Sequence, residues 1–124
     1  MAHHDLRAEG AEIGLSYQPD KPGRDWNLQK AKAATESLTP AFLLPCDVTD
    51  DASLKHFFSE VGAEMGAIDF LVHSIAFAPV EDLKHTTLET SRAGFHVAMD
   101  ISCYSFIACA REAAAVVHVA DHRL

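Results

Sequence analysis

Apolar residues along the chain fall into short unbroken runs and longer stretches with helical spacing, and the two kinds alternate. Ile68 to Pro79 (Ile-Asp-Phe-Leu-Val-His-Ser-Ile-Ala-Phe-Ala-Pro) is rich in branched and aromatic residues and bounded by Gly66 and Pro79, which predicts a buried strand. Ala41 to Val48 is a second such run. Ala11 to Gln18 alternates through Ile13, Leu15 and Tyr17 and predicts a third strand. Helical spacing fills the intervals. Trp26 to Ser37 carries a narrow apolar face at Ala31, Ala34 and Leu38, between the Pro19 to Gly23 loop and Pro40. Leu54, Phe57, Phe58, Val61 and Met65 recur on one face behind the capping side chains of Thr49, Asp50 and Asp51. Ala2 to Glu9 predicts the last turns of a helix stopped at Gly10. Pro79 to Glu89 predicts a loop or a short turn of helix. Ser91 to Val119 predicts a long helix with Phe95, Ala98, Met99, Ser102, Phe106, Cys109 and Ala113 along one stripe.

The resulting order, α, β, α, β, α, β, α, predicts an α/β domain with a doubly wound parallel sheet, because parallel strands need crossover connections. The sheet is expected to be partial. In the usual strand order 3-2-1-4-5-6 the first strand would lie between Ala11 to Gln18 and Ile68 to Ser74, and the chain has no run to fill that place. Nor has it a glycine cluster between a strand and a helix to cradle a pyrophosphate, since Gly10 and Gly14 only flank the start of a strand. Ligands of such sheets bind outside the C-terminal ends of the strands, which places Asp47, Val48, Ser74, Ile75 and Ala76 around the crevice.

Composition narrows the partners. A chain of 124 residues, 48% of them hydrophobic, is one domain. A net charge of −8 with 10 basic residues leaves no basic stripe for nucleic acid or an anionic membrane. No run reaching the ~20 apolar residues of a membrane span and no secretory signal are expected, so the protein is expected to be cytoplasmic. Cys46, Cys103 and Cys109 lack Cys-x-x-Cys spacing and read as reduced, mostly buried thiols. Among eight histidines, His118 and His122 are the pair that can share a helical face. With no third ligand beside them, no metal site is expected. His73 and Ser74 tempt a nucleophile reading, but no base or oxyanion motif accompanies them.

Four stretches carry a resemblance that periodicity does not. Cys-Asp-Val at 46 to 48, Val-His-Ser-Ile-Ala-Phe-Ala-Pro at 72 to 79, Ser-Arg-Ala-Gly-Phe at 91 to 95 and Asp-Ile-Ser-Cys-Tyr-Ser-Phe at 100 to 106 resemble the NADH-dependent enoyl-acyl-carrier-protein reductases, a divergent branch of the short-chain dehydrogenases. The likeness covers most of residues 2 to 113 and fades over Ala114 to Leu124. It implies a Rossmann-like fold, NADH as cofactor with NADPH second, and reduction of an enoyl chain on acyl carrier protein during fatty-acid elongation. It implies that Gln18 lies near the adenosine, that Asp47 and Val48 hold the adenine, that Ser74, Ile75 and Ala76 line the nicotinamide side, and that Ala78 touches the acyl substrate. It also implies a homo-oligomer for the full-length relative. Taken without the resemblance, Asp47 is a loop or capping residue and Val48, Ile75 and Ala78 are core. Gln18 ends its strand where Asp or Glu would meet the ribose hydroxyls, and Arg24 in the next loop suits a 2′-phosphate.

The family's catalytic pair is a tyrosine followed six residues later by a lysine, the phenol supporting the developing enolate. Here Tyr17 and Tyr104 are the two tyrosines, and no lysine follows Lys84. Tyr104 and Arg111 can share a helical face, but a guanidinium does not reproduce the lysine's contacts. The expectation is therefore a central fragment of an oxidoreductase, with no catalytic residues and inactive alone. Its alternatives are a nucleotide-binding or regulatory remnant and a non-functional product of a truncated gene. Unpaired inner strand edges predict weak stability and a tendency to associate.

Overall fold

The computed structural model describes residues 6–117. Residues 6–8 are helical and end at Gly10, whose φ of +87° suits a residue without a Cβ. Strand β1, Gly14–Tyr17, pairs in parallel with β2, Phe42–Pro45, in the register Gly14 to Phe42 through Tyr17 to Pro45. A Cβ at Gly14 would displace the Phe42 ring, which lies over it. Between them α1, Trp26–Thr35, and a 3-10 turn at Glu36–Leu38 bring the chain back. Leu38 is buried and Ala31 half-buried, but Ala34 is exposed, so the expected alanine face is narrower still.

After β2, Asp50 accepts a hydrogen bond from the Ala52 N–H and caps α2, Asp51–Met65. Leu54, Phe58 and Val61 are buried, with Phe57 and Met65 half-buried, as the spacing requires. This face packs against the last helix. Cys46, Val48, Leu54, Phe58, Ala108, Cys109 and Ala113 form the core.

Two expectations fail, each for a physical reason. The run from Ile68 is no buried strand. Among the described residues, Ile68 makes a lone parallel bridge to Val117, residues 69–79 join no ladder, and Phe70, Leu71 and Val72 are 55%, 40% and 53% exposed. A run apolar on both faces is a strand only when neighbours take both edges, and β1 does not reach it. Among the described residues the sheet is accordingly two-stranded.

The long helix also departs from the expected stripe. After α3, Val80–Leu83, and a 3-10 turn at Thr87–Glu89, α4, Arg92–Met99, runs through a π turn, Asp100–Tyr104, into α5, Ser105–Ala113. The buried line runs through Gly94, Ala98, Ile101, Ser105, Ala108 and Cys109 to Ala113, beside the large apolar residues rather than through them, and Phe95, Met99 and Phe106 are 54%, 44% and 56% exposed. The helix ends at Ala113, and the expected continuation over 118–119 lies outside the described residues. Residues 92–113 are long and apolar enough to cross a membrane, contrary to the count of charge-free runs. In this fold α5 is a core helix, packed on α2.

Candidate functional site

Because β1 and β2 end in register, the loops beyond them emerge side by side, and Gln18 and Asp47 line one open hollow of about 720 Å³. Asp47 forms a tight local turn. Its Oδ1 accepts from the Thr49 N–H at 3.0 Å and the Thr49 hydroxyl at 2.7 Å, and its own N–H donates to Ser53 Oγ at 2.9 Å. Among the described residues, no hydrogen bond reaches Oδ2 of this half-buried residue. Across the hollow, the Asp20 carboxylate accepts from the Asn27 and Leu28 N–H groups at 2.8 and 3.0 Å. That use of Asp20 holds the start of α1. Lys21 and Arg24 are the positive side chains of the rim.

The remaining expected residues do not gather there. Val48 is buried, and together with Ser74 and Ile75 it lines a separate apolar slot of about 430 Å³ between β1 and residues 67–75. Ala76 is exposed and Ala78 half-buried, and neither lines either cavity. The sequence predicts a single crevice. With no strand between β1 and the run from Ile68, the two sides of that crevice stand apart.

What holds the segment after Ile68 is a set of serines on the long helix. The Ser105 hydroxyl donates to the Ile101 carbonyl at 2.6 Å, which leaves its oxygen to accept from His73 Nε2 at 2.7 Å. Four residues beyond His73, the Phe77 N–H donates to Ser102 Oγ at 3.0 Å, and the Ser102 hydroxyl donates to the Phe77 carbonyl at 3.1 Å. The His73 ring also meets Phe106 edge-on at 5.6 Å. The nucleophile reading fails on this geometry, since His73 pairs with Ser105 rather than Ser74 and donates instead of accepting. Sequence reasoning misses these anchors. Their signal is two serines three apart inside an apolar helix, opposite His73 and Phe77 four apart.

Tyr104 does lie beside Arg111, and its phenol pushes the guanidinium further above its usual range. A permanently charged donor of this kind takes no proton from a phenol at neutral pH. Among the described residues, no three His, Cys, Asp or Glu side chains could share a metal ion, and His118 and His122 lie outside them. Burial pushes the Cys46 thiol up to about 12, and Cys109 also upward, while Cys103 is exposed. The two buried thiols are inert as nucleophiles.

Relatives share this sequence and this fold. The chain is 38% identical over 102 residues to the enoyl-acyl-carrier-protein reductase (NADH) FabI of Nostoc, matching 82% of this chain and 39% of the relative. The solved enoyl-acyl-carrier-protein reductase of Anaplasma phagocytophilum, in complex with NAD, superposes with a TM-score of 0.81 at 33% identity, over 93% of this chain and 42% of that one. The NADH enzyme of Aquifex aeolicus gives 0.82 at 32% identity, over 93% and 44%. The chain thus spans about two fifths of the relatives it matches. A family model described as enoyl-(acyl carrier protein) reductase matches residues 2–121, and the chain belongs to that family.

Proposed function

We propose that this chain carries the adenosine-side part of the NADH crevice of an enoyl-acyl-carrier-protein reductase, the oxidoreductase that reduces an acyl-carrier-bound enoyl chain in fatty-acid elongation, and that it does not turn over by itself. The observation that carries the reading is the shared hollow of Gln18 and Asp47, with one Asp47 oxygen engaged by Thr49 and the other left over. A carboxylate oxygen there accepts from the adenine amino group or a ribose hydroxyl. Val48 supports Asp47 from the core, and Ser74, Ile75 and Ala76 belong to the nicotinamide side, with Ala78 beyond them toward the acyl chain. The residues fit the adenosine half of the cofactor and not its pyrophosphate, because Gly14 lies in β1 and, among the described residues, no glycine-rich loop opens a helix. When bound, NADH supplies the hydride.

Lys21 and Arg24 on the rim of the same hollow favour NADPH as the second ligand, since a guanidinium pairs a 2′-phosphate bidentately. Calorimetric titration with NADH, NADPH and nicotinamide mononucleotide tests both readings, with an enoyl-thioester turnover assay on the same sample. Binding of the dinucleotides without the mononucleotide, and without turnover, is the expected result. Turnover, or mononucleotide binding as tight as NADH, overturns it.

A further inference from the structure

The hollow that Gln18 and Asp47 share carries one aromatic side chain on its rim, the indole of Trp26. Trp26 opens α1 and is 64% exposed, outside the buried core, so its ring contributes little to folding. It is nevertheless held in place. The Asp20 carboxylate accepts from the Asn27 and Leu28 N–H groups that follow it, which fixes the start of α1 against the loop after β1. One helical turn on, the Lys30 ammonium lies 4.3 Å from the centre of the indole and covers one of its faces. Among the described residues, no other ring or cation meets the indole, so its second face is open to a flat partner.

We propose that Trp26 is a base-stacking residue of this hollow, its open face taking the purine ring of an adenosine nucleotide whose polar edge Asp47 meets. The inference rests on the nucleotide reading of the hollow and adds to it the group that supplies affinity for the base. The two contacts differ in what they do. Every base has a π-face, so stacking on the indole binds with little regard to which base is present. A carboxylate oxygen instead accepts only from a donor, such as the adenine amino group or a ribose hydroxyl. The Lys30 ammonium on the far face keeps the indole from turning away, so the stacking surface is formed before the nucleotide arrives.

The chain has one tryptophan, so its emission reports on Trp26 alone. AMP is titrated into the full chain by fluorescence and by calorimetry, with ribose 5-phosphate as the probe that lacks a base. AMP is expected to quench the emission saturably at one nucleotide per chain, and ribose 5-phosphate to leave it unchanged. Trp26→Leu keeps an apolar side chain without a ring face and is expected to weaken AMP binding about tenfold, and Trp26→Phe to restore most of it. Both variants should match the parent in circular dichroism, because the indole lies outside the core. AMP binding by calorimetry with unchanged emission, or equal affinity of Trp26→Leu, overturns the stacking role and leaves the nucleotide reading in place. So does binding of NADH without binding of AMP. Absence of binding by AMP, NADH and NADPH alike overturns the nucleotide reading and the stacking role together.

Discussion

Asp47 is the residue on which the nucleotide reading can be weighed most directly, because its two oxygens have separate duties. Asp47→Ala removes both, and is expected to weaken NADH binding about tenfold by calorimetry and to cost about 1 kcal/mol of stability through the lost Thr49 turn. Arg24→Ala should spare NADH and weaken NADPH alone. The thiols give a second check. Cys103 is exposed and Cys46 and Cys109 are buried, so an alkylating reagent at pH 8 should modify one thiol quickly and two slowly, counted by mass spectrometry. Cys46 also fixes a sign. Its thiol rises from 9.0 to about 12 on folding, first through desolvation and then through Cys109 and Asp47. Between those values the unfolded chain holds fewer protons than the folded one, so the urea midpoint is expected to be unaffected by this group below pH 9 and to fall as pH climbs toward 12. At this scale the sequence is readable where a residue acts locally. Asp50 capping α2, Gly10 ending the first helix and the Phe58 face are all set by neighbours in the chain. Ser102 and Ser105 are not, because their partners, Phe77 and His73, lie 25 and 32 positions away.

Among elements, helices proved legible and the third strand did not, and the difference lies in where each finds its hydrogen-bond partners. A helix closes its own ladder, so α1 and α2 appear near their expected limits even in a partial sheet. A strand borrows its partners, and the run from Ile68 has the composition of a central strand without its neighbours. The long helix differs for a third reason, since its buried line passes through the small residues Gly94, Ala98, Ser105 and Ala108, and the large apolar residues Phe95, Met99 and Phe106 that define the expected stripe stand beside it, exposed. This sets up a paired expectation. Phe58, 4% exposed, and Phe106, 56% exposed, sit on helices of similar pattern, but Phe58→Ala should lower stability by about 3 to 5 kcal/mol and Phe106→Ala by well under 1. Urea denaturation monitored by circular dichroism distinguishes them. Equal costs would show that Phe106 is buried in solution.

For the whole molecule, the balance turns on how little of the sheet is present to cover the apolar surface the helices bring. Folding stability of ordinary domains is only ~5 to 15 kcal/mol, and here a two-stranded sheet replaces the expected larger one. Phe95, Tyr104, Phe106 and Ile107 are all more than two fifths exposed along one helix, and Phe70 to Val72 add to them. Exposed apolar area on that scale drives association. The weight-average mass from sedimentation velocity is therefore expected to rise between micromolar and hundred-micromolar concentration. The net charge of −8 opposes contact, so added salt should promote it by screening. Phe106→Lys should keep the chain monomeric over that concentration range, and undiminished association of that variant would show that a face other than the long helix, such as Phe70 to Val72, brings the copies together.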